Sequence, residues 1–211
     1  MPNWALWALP WVVVPIALAL RSRGASRLSQ YAASVPDGAA PLVSIVVPAR
    51  NEARNIERCV RSILTTIWPK VEVIVVDAHS ADGTGAIARG IAAEDSRLTV
   101  LDAPPLPAAW FGKQWACHTA VQRAQGELLL FTDADTRHTP ELVARAIAAM
   151  RERGADMLSV MGTQEMGTFW ERLLMPQVFV FILSRYGNTE RMSRSTKPLD
   201  KIANGQFFIV T

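Results

Sequence analysis

Val43-Ser44-Ile45-Val46-Val47-Pro48-Ala49-Arg50-Asn51-Glu52 is a β-branched run that passes directly into residues suited to the start of a helix. Valine and isoleucine fit a pleated, buried surface, while Asn51 and Glu52 belong to helix-start chemistry. The same change of period recurs along the chain. A helical pattern covers residues 55–66, and Val71-Glu72-Val73-Ile74-Val75-Val76 follows as a second strand. A helix over 83–92, a strand over 98–101, a Pro-rich loop and a helix over 113–124 come next. Leu128-Leu129-Leu130-Phe131, a helix over 140–153 and a strand near 157–160 complete the series. Strands alternating with helices predict an α/β protein with a mostly parallel sheet covered by helices. In such folds ligands gather at the carboxyl ends of the strands.

Outward from this domain, assigned to 42–211, the sequence changes character. Residues 25–41 are rich in Ser, Ala, Pro and Gly without periodicity and read as a linker. Residues 1–24 read as a membrane anchor. Trp4 to Leu20 carry no charge, and Trp4, Trp7 and Trp11 have rings that settle at a bilayer interface. A run of about 17–18 apolar residues is at the short end of what crosses a hydrocarbon core of roughly 30 Å. A buried or interfacial helix is the alternative. Arg21, Arg23 and Arg27 follow the run and no basic residue precedes it, which places the domain in the cytoplasm at the inner membrane. A cleaved signal peptide would carry its charges on the other side. Residues 169–186 are dense in apolar side chains but broken by Glu171, Arg172 and Pro176, so an interfacial helix and a core helix both remain open.

With 211 residues, half of them hydrophobic, the chain suffices for one cored domain plus an anchor. Its 22 basic against 19 acidic residues leave no basic stripe, which excludes a nucleic-acid partner. Cys59 and Cys117 fall in separate helical patterns with no Cys-x-x-Cys spacing, as idle thiols of a reducing compartment would.

Chemistry concentrates at three strand ends. Asp133-Ala134-Asp135 directly follows the run ending at Phe131. Hard cations such as Mg²⁺ or Mn²⁺ take one or two carboxylates, completed by substrate phosphates and water. Asp77 ends the second strand, where a carboxylate accepts hydrogen bonds from ribose or base. Asp82, before a helix, reads instead as its N-cap. The loop after the first strand offers backbone N–H groups to an anion, with Glu52 as a candidate.

Taken in order and spacing, Val43 to Glu52, Val75-Val76-Asp77-Ala78-His79-Ser80-Ala81-Asp82-Gly83-Thr84 and Leu130-Phe131-Thr132-Asp133-Ala134-Asp135 resemble the family 2 glycosyltransferases of the GT-A fold. The resemblance covers residues 42–160. It implies that Pro48, Ala49, Glu52 and Asp77 contact the nucleotide of a nucleotide-diphosphate sugar. It further implies that Asp133 and Asp135 take ribose and metal, with Asp135 the principal ligand of Mg²⁺ or Mn²⁺. Family members usually have Asp where this chain has Ala78 and Gly where it has His79. The family's general base belongs to an acidic Glu-Asp-type motif expected beyond Thr211, so no catalytic base is assigned. The strand-like ending over 204–211 suggests a C-terminally incomplete domain.

Within the family, Pro104-Pro105-Leu106-Pro107, Trp110-Phe111-Gly112-Lys113-Gln114-Trp115-Ala116, the Thr132–Thr136 turn, His138 and residues 203–210 look most like bacterial hopanoid- or carotenoid-associated membrane enzymes. That likeness implies inverting, metal-assisted transfer to a lipid acceptor at the membrane. Lys113 is a candidate phosphate contact as a point charge. His118 reads as structural, and His79 and His138 lie near the site. Two alternatives are a membrane-anchored nucleotide-sugar-binding remnant and a haloacid-dehalogenase-like phosphatase; Thr136 directly after Asp135 breaks the latter's D-x-D-x-T spacing.

Overall fold

The computed structural model describes residues 27–35, 40–186, 195–197 and 203–211, with Val13, Ile16 and Leu20. The expected membrane anchor, apart from those three residues, and part of the linker lie outside the described residues. The chain divides into two compact units, one of Met1–Arg27 with Thr163–Ile202 and the other of Leu28–Gly162 with Ala203–Thr211.

In the second unit the alternating pattern becomes β1 (Val43–Ala49), α1 (Ile56–Leu64), β2 (Val71–Asp77), α2 (Thr84–Glu94), β3 (Leu98–Asp102) and α3 (Gly112–Val121). It continues with β4 (Leu128–Thr132), α4 (Leu142–Arg153), β5 (Met157–Ser159) and, after the other unit's segment, β6 (Phe207–Val210). The sheet order is β3-β2-β1-β4-β6-β5. β1, β2, β3 and β4 pair in parallel, whereas β6 runs antiparallel to both β4 and β5. The sheet is therefore mixed: the expected parallel order holds through β4, and β6 reverses the direction of pairing.

Period two along the strands decides the layers. Val43, Ile45, Val47, Val73, Val75, Leu130 and Ile209 face a core built with Ile56, Val60 and Ile63 of α1, Ala88 and Ile91 of α2, and Val143 and Ile147 of α4. Val46, Ile74 and Val76 face the opposite side, against Ala116 and Ala120 of α3. Covered on both faces, these strands read as continuous apolar runs. Across β4 and β6, the Phe131 and Phe208 rings stack at 4.7 Å.

One glycine fixes the entry to β4. A Cβ at Gly126 would lie 2.6 Å from the Ser44 backbone nitrogen and 2.9 Å from the Leu42 carbonyl. Gly126 N–H also donates to buried Ser44 Oγ at 2.7 Å, and Ser44 in turn donates to Glu72. Because backbone must shift, Gly126→Ala is expected to destabilise by about 2 kcal/mol, an overpacking effect. Urea unfolding midpoints would check this, and an unchanged midpoint would contradict the close approach.

The first unit contains α5 (Phe169–Tyr186). Its start is a capping box: Glu171 accepts from the Gly167 and Thr168 N–H groups at 2.9 Å each, and Glu171 N–H donates to Thr168 Oγ1. Those bonds, the Thr168 backbone first, hold the Glu171 carboxyl below its ordinary range. Phe169, Trp170, Leu173, Leu174 and Val178 are exposed. Among the described residues no helix is long and apolar enough to cross a membrane.

Candidate functional site

The site is built where β1, β2 and β4 end. Ala49 and Asp77 are paired in register at the last positions of β1 and β2. Pairing of β1 with β4 stops at Val46, two residues before Pro48, which has no N–H to donate. Since β1 has β2 on one side and β4 on the other, its carboxyl end is the sheet's switch point, where α/β proteins hold ligands.

The loops after β1 and β2 are laced together. Asn51 N–H donates to Ser80 Oγ (2.9 Å), Glu52 N–H to Thr84 Oγ1 (2.8 Å) and Ala53 N–H to Asp82 Oδ2 (3.0 Å). In return, Ala81 N–H donates to Asn51 Oδ1 (2.9 Å) and Ala78 N–H to the Ala49 carbonyl (2.8 Å). Asn51 and His79 adopt left-handed φ values of 56° and 58°. Both asparagine and histidine are enriched among the non-glycine residues that adopt this region. Position 79, where the family resemblance implies glycine, thus keeps a glycine-like backbone with a larger side chain.

Asp82 is structural, as its sequence context implied, but the N-cap of α2 is Gly83. Asp82 ties two loops instead, and its bonds from Thr84 and the Ala53 N–H lower its pKa. Glu52 accepts from Asn55 Nδ2 at 2.9 Å, so part of its carboxylate closes its own turn.

Asp77 is 6% exposed and accepts from Ser80 N–H at 3.1 Å. A Cβ at Gly85 would lie 2.4 Å from Asp77 Oδ2 and 2.9 Å from Arg89 Nη1, so only glycine lets the carboxylate lie against α2. Gly85→Ala is therefore expected to move Asp77 and weaken nucleotide binding about tenfold, equivalent to the roughly 1.4 kcal/mol of a modest overpacking strain. Calorimetric titration would check it. Unaltered affinity would remove Asp77 from the nucleotide contact.

Asp133-Ala134-Asp135 forms the turn after β4. Its backbone is held from below: the Asp133 carbonyl accepts from Thr136 Oγ1 at 2.8 Å and from Cys59 Sγ at 3.5 Å. Burial pushes the Cys59 thiol up to about 11, which keeps it protonated as a donor. Both cysteines are free, and burial also raises the Cys117 thiol. Lys113, in the first turn of α3, forms an ion pair with Asp133 Oδ1. A Cβ at Gly205, in the turn before β6, would lie 3.2 Å from Lys113 Nζ and 3.7 Å from Asp133 Oδ2.

Asp135 is exposed, and no described residue donates a hydrogen bond to its carboxylate. Among the described residues no group of three or more His, Cys, Asp or Glu converges as a metal cage. One unengaged carboxylate beside another held by a lysine fits a Mg²⁺ or Mn²⁺ that draws its other ligands from substrate phosphates.

Of the residues singled out in the sequence, the fold brings Asp133 and Lys113 into contact and sets Ala49 beside Asp77, with Pro48 half-buried next to them. Sequence reading missed Cys59, Thr132, Thr136 and Gly205 as neighbours of the turn. Only the short spacing of Thr132 and Thr136 around the two aspartates was a visible signal. The aromatic residues of the α3 entry form one cluster, with Trp110 and Trp115 rings 5.1 Å apart and His118 stacked on Trp115 at 5.4 Å. His118 is structural there, as expected.

Acidic strand ends gathered at the switch point of a doubly covered sheet, with a lysine among them, mark the class: an α/β protein with its polar side chains at the carboxyl edge of the sheet. The chain belongs to glycosyl transferase family 2, whose family model matches residues 44–210. It is 31% identical over 120 residues to glycosyltransferase AglE of Haloferax volcanii, covering 56% of this chain and 38% of that protein. It is 32% identical over 125 residues to the 4,4'-diaponeurosporenoate glycosyltransferase of Staphylococcus aureus strain NCTC 8325, covering 59% of this chain and 32% of that protein. The chain thus spans about a third of the length of these curated relatives. Among solved structures, a Pyrobaculum calidifontis mannosyltransferase in complex with GDP-Man and Mn²⁺ superposes with a TM-score of 0.64. At 23% identity, over 98% of this chain and 54% of that one, it shows the shared GT-A fold. Staphylococcus aureus TarS 1-349 matches at 27% identity and a TM-score of 0.50, over 60% of this chain and 38% of that one.

Proposed function

We propose that this chain forms the donor side of a metal-assisted, inverting glycosyltransferase that takes a sugar from a nucleotide-diphosphate sugar. The observation that carries the reading is the turn at the end of β4: Asp135 exposed and unengaged, Asp133 held by Lys113, and buried Asp77 at the neighbouring end of β2. In this reading Pro48, Ala49, Glu52 and Asp77 face the nucleotide. Asp133 faces ribose and metal, while Asp135 is the principal ligand of Mg²⁺ or Mn²⁺. Bound there, the cation supplies positive charge against the leaving nucleoside diphosphate. Lys113 adds a second positive charge and exchanges its partner Asp133 for a donor phosphate. None of the described residues is assigned as the base that deprotonates the acceptor.

The proposed acceptor is a lipid at the cytoplasmic face of the membrane. Supporting it are the apolar N-terminal run followed by Arg21, Arg23 and Arg27, the exposed apolar side chains of α5, and relatives named for 4,4'-diaponeurosporenoate. The decisive experiment is calorimetric titration of the chain with UDP- and GDP-sugars, with Mn²⁺ and with excess EDTA. Binding that needs the cation is the expected result. Equal or absent binding in both conditions, for every donor, would overturn the proposal.

A further inference from the structure

Beneath the Asp133 turn lies a buried polar cluster that the proposed chemistry does not use. Thr132, 1% exposed, has three polar neighbours at its Oγ1: the Gln206 carbonyl at 2.7 Å, His138 Nε2 at 2.9 Å and Thr136 Oγ1 at 3.0 Å. A hydroxyl has one proton to give. The Gln206 carbonyl can only accept, so the Thr132 proton goes there. The Thr136 proton is committed to the Asp133 carbonyl. His138 Nε2 is left as the donor to Thr132, which fixes the neutral tautomer with its proton on Nε2. His138 Nδ1 then keeps a bare lone pair, and it is buried without a hydrogen-bond partner among the described residues. Burial lowers the His138 pKa to about 4, which agrees with a ring that stays neutral. The His138 backbone is anchored separately, its N–H donating to Ser62 Oγ on α1 at 3.0 Å.

A buried polar atom left unsatisfied is unfavourable, so a purely structural filler here would be apolar. Leucine or phenylalanine would pack against Phe207, whose ring lies 5.8 Å from the imidazole, without orphaning a nitrogen. The histidine instead secures one donor aimed at Thr132. Thr132 links two segments 74 residues apart, the end of β4 and the turn before β6, and that turn brings Gly205 against Asp133 and Lys113.

We propose that Thr132 and His138 are positioning residues: their shared hydrogen bond and the Thr132 bond to Gln206 lock the Asp133-Ala134-Asp135 turn to the turn before β6. This sets where the two carboxylates meet a divalent cation. The inference rests on the donor-site reading above and adds residues that touch neither metal nor nucleotide.

The test measures Mn²⁺ affinity of the chain with UDP, and again with GDP, from the paramagnetic resonance of free Mn²⁺. Melting curves without metal run in parallel. Thr132→Val should weaken Mn²⁺ binding about tenfold or more, in the range lost when a ligand's supporting partner is removed. Thr132→Ser, which keeps the hydroxyl, should restore it. His138→Leu should weaken binding and His138→Gln, which keeps a donor, should recover most of it. A folded Thr132→Val chain that binds Mn²⁺ as the unaltered chain does would overturn the inference. So would serine and valine variants that are equally weak, since the methyl contact rather than the hydroxyl would then matter. If Thr132→Val does not fold, the His138 pair decides on the same criteria. Failure of the unaltered chain to bind Mn²⁺ with either nucleotide would instead overturn the donor-site reading itself, and this inference with it.

Discussion

Asp135→Asn is expected to abolish cation-dependent donor binding, lowering Mn²⁺ affinity in the presence of nucleotide about a hundredfold or more. Loss of a supporting partner alone typically costs 10–100-fold, and Asp135 is proposed as the ligand itself in a site with at most two protein carboxylates. The substitution keeps shape and removes only charge. Because Asp135 is exposed and receives no hydrogen bond from the described residues, the melting temperature should not move. Asp133→Asn is expected to act differently. It also removes the carboxylate that holds Lys113 and frees the ammonium for a donor phosphate, so part of its effect should appear as tighter nucleotide binding without metal. Calorimetry with and without Mn²⁺ separates the two. An Asp135→Asn chain that still binds donor in a metal-dependent way would move the metal role to Asp133 or out of the turn.

The second large effect is on stability against pH. His138 has its pKa lowered from 6.5 to about 4 by burial. Above pH 6.5 the ring is neutral in both folded and unfolded chains, and its contribution is constant. As pH falls from 6.5 towards 4, the unfolded chain takes up a proton that the folded chain refuses, so stability is lost. Near pH 4 and below, both forms bind the proton and the loss levels off. Integrated over that window, the linkage amounts to about 3 kcal/mol. A domain of this size loses roughly 2–4 °C of melting temperature per kcal/mol. Melting temperatures between pH 4 and 7 should therefore fall more steeply for the unaltered chain than for His138→Gln. Carboxylates held low by hydrogen bonds, Asp82, Asp95 and Glu171 among them, begin to lose their contributions below about pH 5 in both proteins, so the difference between the two slopes reports the histidine. Parallel slopes for the two proteins would mean that the imidazole is not buried neutral.

The strands were readable because burial on both faces demands apolar residues at nearly every position. Val43–Ala49 and Val71–Asp77 thus announce themselves without any partner in view. The acidic strand ends were equally plain, since a carboxylate closing such an apolar run stands out from it. The direction of β6 was not readable. Four residues, Phe207–Val210, suit either orientation, and their insertion between β4 and β5 depends on pairing across more than 70 residues of chain. Positive φ at His79 had a signal only in the family resemblance, which implies glycine there. Glycines gave an ambiguous signal. Gly85 and Gly126 occupy ordinary helix-start and loop contexts, and only the packing shows a carboxylate and a strand backbone pressed against them.

By itself the sequence determined the layered α/β class, the acidic residues at the strand ends and the likeness to a sugar-transferring family, because periodicity and local motifs are properties of neighbouring residues. The tertiary structure decided which carboxylate a lysine engages, since Lys113 reaches Asp133 only when α3 packs across β1 and β2. It also decided that Thr132 and His138 stand beneath the site. Such contacts bind residues far apart in sequence, and their existence depends on loop closure and packing that no single segment encodes.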